Sequence, residues 1–116
     1  GADLPGAHLQ GAYLSGVDLS HAILSAANLT AADLSYADLS HAILRGTVLT
    51  AAYLNSANLS YARFDRANLC HANLFNAKCY VTFFEKALLA EADFRGTDLS
   101  MAQFPGSVGE LSKAIL

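Results

Sequence analysis

The sequence predicts an all-β fold, a solenoid wound in square coils of twenty residues and closed at its C-terminal end by a short helix. Three observations predict it. A Leu or Phe returns every fifth residue at 21 positions from Leu4 to Phe104, with Cys79 the only departure. Two residues before each of them stands Ala at 17 positions, the others being Val17, Thr47, Thr82 and Thr97. The run Ser20-His21-Ala22-Ile23-Leu24 returns unchanged twenty residues later as Ser40-His41-Ala42-Ile43-Leu44. A period of five suits neither regular element. At about 100° per residue a helix would scatter these leucines around its circumference, and an odd period in a strand would send them to alternate faces.

Each pentad supplies one side of the coil. Ala32 and Leu34 are two apart, so in an extended segment both point inward while Asp33 points out, and Ser35 and Tyr36 turn the chain. The second turn residue is often Gly (Gly1, Gly6, Gly11, Gly16, Gly46, Gly96, Gly106), which suits positive φ, but Ala, His and Tyr also stand there. That mixture predicts mixed turn types. Four corners near 90° close a coil, so the 21 pentads give about five coils, a rod roughly 25 Å long at an inter-strand spacing of about 4.8 Å.

The predicted core is sixteen Leu and four Phe, centred on Leu24, Leu34, Leu44, Leu59, Phe64, Phe84 and Phe104. Each is worth roughly 1.5–3 kcal/mol when buried, most of it offset by chain entropy. Phe64, Phe84 and Phe104 fall twenty apart, and so should stack in one column.

Residues 1–106 form the predicted solenoid and residues 107–116 a separate cap. Pro105-Gly106 is expected to break the register, Ser107 and Glu110 to form a capping box, and Val108, Leu111 and Ile115 to share one face of the helix. That helix would be a lid over the last coil, since an uncapped solenoid exposes core and strand edges. The end at Gly1 has no such lid in the sequence and is expected to be open.

With this register the chain resembles the pentapeptide-repeat family, whose motif Ala-(Asp/Asn)-Leu-X-X is matched best at Ala32-Asp33-Leu34, Ala37-Asp38-Leu39, Ala57-Asn58-Leu59, Ala67-Asn68-Leu69 and Ala72-Asn73-Leu74. The resemblance covers residues 1 to about 106. It implies a right-handed quadrilateral parallel β-helix and no single activity. Quinolone-resistance members of the family are similar in using C-terminal elements to pair, which makes the C-terminal helix a second candidate role, that of a dimer handle.

The outward residues sort into four ladders at twenty residues per coil. Asp18, Asp38, Asn58, Lys78, Asp98 and Tyr13, Asp33, Tyr53, Asn73, Asp93 carry five of the ten acids. Stacked like charges repel, so these Asp residues are expected to bond backbone, the alternative being an acidic surface presented to a basic partner. The other two ladders place Ile23, Ile43, Val48, Phe83 and Leu88 where solvated residues belong, with Val81 and Met101 at adjoining corners. Contiguous exposed apolar surface marks an interface, and these five are the candidate interface residues. Self-association is expected through this surface, the C-terminal helix or the open end at Gly1.

Candidate chemistry is sparse. His21 and His41 occupy equivalent corners one coil apart, but the next corners of that column are Tyr61 and Val81, so a metal would lack its third ligand. Cys70 beside His71 has no third orienting group, and Cys70 and Cys79 lie on different sides of the coil, against a disulfide. No phosphate loop, triad or basic stripe is present, and a net charge of −3 disfavours direct nucleic-acid binding. No cofactor, metal or enzymatic activity is expected. The reading is a non-catalytic scaffold or interaction module for a protein partner. The alternative is a mimic of duplex DNA that inhibits or protects a topoisomerase such as DNA gyrase.

No apolar run approaches the ~20 residues of a membrane span, so a soluble chain is expected. Free thiols favour a reducing compartment such as the cytoplasm. The start at Gly1, in mid-repeat and without Met, reads as a processed piece, which leaves an organellar lumen or the periplasm open if a targeting segment was removed.

Overall fold

Every unit from Leu4 to Ser107 turns by the same device. The N–H of the Ala-phase residue donates to the carbonyl of the Leu or Phe three residues earlier, as in Ala27 to Leu24 and Ala32 to Leu29, both at 3.0 Å. The residue just before the donor has positive φ, whether it is Gly6 at 68°, Ala31 at 56°, Tyr36 at 60° or Val81 at 52°. Positive φ at the third residue of a turn closed by this bond is the type II signature. The expectation of mixed turns is therefore corrected: the corners vary in residue but share one conformation. L-residues pay for the left-handed region, and they hold it here because the coil above and below fixes the backbone.

Between corners each pentad contributes one bridging residue. The computed structural model of the chain describes the backbone of residues 1–116 and all side chains except those at 108 and 109. Parallel bridges join residues twenty apart, stepping Asp3, Ile23, Ile43, Arg63, Phe83, Gln103 along one ladder and Tyr13, Asp33, Tyr53, Asn73, Asp93 along another. The pairing is two-sided: Asp33 N–H donates to Ala12 O at 2.9 Å, and Leu34 N–H donates to Tyr53 O at 2.7 Å. The result is a repeat β-helix, 31 Å in its longest dimension and 22 Å across.

Within it Leu24, Leu34, Leu44, Leu59, Phe64 and Phe84 are fully buried, and Phe104 is half-buried against the same core. The Phe64 and Phe84 rings stack at 5.4 Å, those of Phe84 and Phe104 at 4.9 Å, and Phe94 meets Phe84 edge-on at 5.9 Å. Where the Ala phase carries a hydroxyl, the hydroxyl reaches a carbonyl of the neighbouring coil: Thr47 to Leu24, Thr82 to Leu59, Thr97 to Leu74. Among the described residues no buried side-chain polar atom lacks a partner. In the first coil Ala2 and Leu4 are exposed, and Leu9, Leu14 and Val17 are half-buried.

The C-terminal segment departs from the expected capping box. The turn at Pro105-Gly106 keeps the register, because Ser107 N–H donates to Phe104 O and Ser107 Oγ donates to Phe84 O at 2.7 Å, as the inward threonines do. Ser107 thus takes an Ala position, fully buried, and its carbonyl also accepts the first bond of the short helix that follows, from Leu111 N–H at 2.8 Å. The α-helix α1 spans only Val108–Leu111. Glu110 does not reach back to Ser107; its Oε2 accepts from Leu89 N–H at 3.2 Å, where a further coil would have supplied a carbonyl. The chain then returns to the ladder: Glu91 N–H donates to Lys113 O, Phe94 N–H to Ile115 O, and Ile115 bridges Asp93. Ile115 is a bridge residue and not part of a helical face, Leu111 packs against the core, and the Val108 side chain lies outside the described residues. No helix among the described residues is long and apolar enough to cross a membrane.

Candidate functional site

The outward ladders owe their geometry to the strand-turn phase. An Asp or Asn in the bridging position lies two residues before the first half of the corner, close enough to cap it. Asp18, Asp33, Asp38 and Asp98 each accept from the backbone N–H and the hydroxyl of the Ser two residues on, and Asn58 and Asn68 cap Ser60 and Cys70 N–H. The serine hydroxyl, then its backbone N–H, holds the Asp18, Asp33 and Asp98 carboxyls below the ordinary carboxylate range. Arg95 does the same to Asp93, over a 2.7 Å ion pair. Lys113, then Leu89 N–H, lowers Glu110.

The candidate interface residues fall in two strips. Ile23 and Ile43 bridge each other, with Ile23 exposed and Ile43 half-buried. Arg63 then intervenes before Phe83 and lays its guanidinium 4.6 Å over the Phe83 ring. On the neighbouring ladder Asn68 separates Val48 from Leu88, which is exposed. The structure brings Ile23 and Ile43 together and leaves the other three apart.

Arg63 has a second duty that the sequence reading missed. Its guanidinium bonds Asp65 Oδ2 at 2.8 Å, Arg45 approaches the same oxygen at 3.3 Å, and Asp65 is buried to 8% exposure at a corner. The signal was available, since Arg45 stands twenty residues before Asp65 and so directly beside it. These residues, with Gly46, Arg66 and Glu85, line a groove of about 490 Å³. A second groove, about 460 Å³, lies between Tyr13 and Tyr53 over Asp33, with Gly11, Ala31, Ser35 and Asn55 around it. The sequence placed these three on one ladder but saw no groove there.

The histidine column is a stack. The His21 and His41 rings lie 4.7 Å apart and 3° from parallel, Tyr61 continues at 4.8 Å, and Tyr80 folds edge-on against Tyr61 at 5.6 Å. Among the described residues no group of three or more His, Cys, Asp or Glu could hold a metal. His71 Nδ1 lies 3.3 Å from Glu91 Oε2. Cys70 and Cys79 are both free; burial pushes the Cys79 thiol up to about 12.

Comparison with known proteins matches this geometry. A family model described as pentapeptide repeats matches residues 1–30, 12–50, 32–69, 52–89 and 72–108. Among solved structures, HetL, a pentapeptide repeat protein involved in heterocyst differentiation regulation from the cyanobacterium Nostoc sp. strain PCC 7120, is 37% identical over 87% of this chain and 49% of its own, with a TM-score of 0.66. Rfr23, a pentapeptide repeat protein from the cyanobacterium Cyanothece 51142, is 29% identical over 97% of this chain and 63% of its own, with a TM-score of 0.59. The chain thus spans about half the length of HetL and less than two thirds of Rfr23. A search of curated proteins finds no match.

Proposed function

The chain belongs to the pentapeptide-repeat family, and we propose that it is a non-catalytic scaffold that meets a protein partner through the outward apolar residues Ile23, Ile43, Val48, Phe83 and Leu88 on two neighbouring ladders. The observation that carries this is the bridged pair Ile23 and Ile43, β-branched side chains set outward on a rigid ladder with Ile23 left exposed. Proteins of this family are non-catalytic scaffolds, and HetL, the similar structure named above, is described as involved in regulation. Protein contact is the regulatory means open to a rod of capped acids and apolar ladders.

The finer architecture is proposed with it. The coil winds right-handed with four sides and about five turns, supported by bridges at twenty-residue spacing from Asp3 to Gln103. Residues 1–106 are the β-helix and 107–116 its cap; α1, Glu110 and Ile115 together cover the last coil, and self-association through that end or the first coil is the second contact mode. The DNA-mimic alternative ranks lower. Its acidic ladder is interrupted by Asn58 and Lys78, and the Asp18, Asp38 and Asp98 carboxylates are engaged by serines.

The test is the double substitution Ile43→Thr with Phe83→Thr, which keeps strand-compatible residues on an outward ladder. Light scattering and affinity capture from the source cells should show weaker association with an unchanged far-ultraviolet spectrum. Unchanged association in a folded variant would move the interface off this strip. Purified protein should leave gyrase supercoiling uninhibited, and inhibition would restore the mimic.

A further inference from the structure

Tyr13 and Tyr53 stand on one ladder with Asp33 between them, each bridged to the next. In the histidine column, rings one coil apart stack face to face at 4.7 and 4.8 Å. Two aromatic side chains two coils apart, separated by a short one, are therefore about two inter-strand spacings from each other, with room for one planar group between. The structure holds a groove of about 460 Å³ at this place. Tyr13 is 93% exposed and Tyr53 50%, so both phenols rise from the rod without being used to pack its core.

The floor of the slot is an anion with one free side. Asp33 Oδ1 is occupied by Ser35 N–H at 3.0 Å and Ser35 Oγ at 2.6 Å, while Oδ2 has no hydrogen bond among the described residues. The cap alone does not require the charge, since Asn28 caps Thr30 by the same two bonds. An ionised carboxylate between two aromatic side chains favours a cation, and a spacing that admits one group favours a flat one. A guanidinium is planar, stacks on aromatic faces and donates to a carboxylate from its edge; an ammonium is a compact, strongly hydrated point charge and uses neither face fully.

We propose that the slot between Tyr13 and Tyr53, floored by Asp33, binds the guanidinium group of an arginine side chain presented by a protein partner. The proposal deepens the interaction-module reading and rests on it. It places a polar anchor on the face preceding the acidic ladder, away from the Ile23 and Ile43 strip.

The experiment uses a small probe in place of a partner. N-acetyl-arginine methylamide is titrated into isotope-labelled protein while the ring signals of Tyr13 and Tyr53 and the amides of Asp33 and Ser35 are followed by NMR. Saturable shifts in the millimolar range confined to these residues are expected. Asp33→Asn, which keeps the Ser35 cap, should abolish them, and Tyr53→Ala should weaken binding at least about fivefold through the lost stacking face. N-acetyl-lysine methylamide should bind more weakly. Absence of saturable shifts, shifts that survive Asp33→Asn, or equal binding of the lysine probe would each overturn the proposal. Because no partner enters the titration, its failure leaves the capture experiment on the apolar strip standing, and failure of that experiment leaves this one readable.

Discussion

The hydroxyl of Thr47 donates to the carbonyl of Leu24 at 2.8 Å, across a gap of 23 residues in sequence and one coil in space. That carbonyl already accepts from Ala27 N–H at 3.0 Å, so the threonine fills its second lone pair. Thr82, Thr97 and Ser107 repeat the arrangement on Leu59, Leu74 and Phe84. The departures from Ala in this phase, other than Val17, are therefore inter-coil hydrogen bonds, buried at Thr47, Thr82 and Ser107 and half-buried at Thr97.

Thr47→Ala, which restores the repeat's commonest residue, should destabilise the protein. It removes a buried hydrogen bond worth about 1 kcal/mol, and it empties the space of a methyl group as well. Thr47→Val should cost about 1 kcal/mol, because it keeps the shape and the carbonyl keeps Ala27 N–H. Urea unfolding measures both. A Thr47→Ala variant as stable as the parent would show that the bond contributes nothing.

Val81→Gly should stabilise the fold. Val81 has φ of 52°, in a region where a β-branched residue is a steric outlier costing roughly 1–3 kcal/mol. The glycine gives back about 0.4–1 kcal/mol through its freer unfolded chain, leaving a net gain of about 1 kcal/mol. Ala31→Gly, at φ of 56° without the branched carbon, is the control and should gain less. A lower melting temperature for Val81→Gly would mean that the left-handed corner stores no strain there.

The in-out alternation, the twenty-residue register and the stacked columns of His21 with His41 and Phe64 with Phe84 were legible because each follows from one period and one spacing. The corners were not. Gly at some corners and Tyr or His at others reads as a mixture of turns, whereas the ladder above and below imposes one conformation on them all. The C-terminal segment was half legible: Ser107 does start the helix, its carbonyl accepting from Leu111 N–H, but it also stands in the Ala phase, where Phe84 O offers its hydroxyl a buried partner. Asp65 was missed because it stands at a corner, outside the bridging ladders, although Arg45 twenty residues before it and Arg63 two before it both follow from the register. The Tyr13, Asp33, Tyr53 ladder is legible from the twenty-residue register, yet the groove appears only once the exposure of both rings is known.

Changing Asp18, Asp33 and Asp98 together to Asn should leave stability at pH 7 nearly unchanged and make it less sensitive to acid. Each carboxyl is held below its ordinary value of 3.8 by a serine in the folded state. The unfolded chain therefore takes up protons first as pH falls, so stability present above about pH 4 is lost through and below that value. Asn caps the corner as Asn58 and Asn68 do, without a proton to gain. Melting temperatures between pH 5 and 2 should fall less steeply in the variant, and parallel curves would show that these caps carry no linkage.

Cys70 and Cys79 should differ sharply in chemistry. The Cys79 thiol is buried and its pKa is pushed from 9.0 up to about 12, first by desolvation, so the native state holds its proton where the unfolded chain releases it. Between about pH 9 and 12 the unfolded state binds fewer protons than the native state, and stability must fall as pH rises. Replacing Cys79 by Ala removes that contribution, so the variant, though less stable near pH 7 for its cavity, should lose less stability between pH 8 and 11 than the parent. Thiol titration with a disulfide reagent at pH 8 should find one rapidly reacting group, the half-buried Cys70, and a second only after denaturation, since the thiolate is the nucleophile. Rapid labelling of both in the folded protein, or equal alkaline slopes for parent and Cys79→Ala, would place Cys79 outside the sealed core.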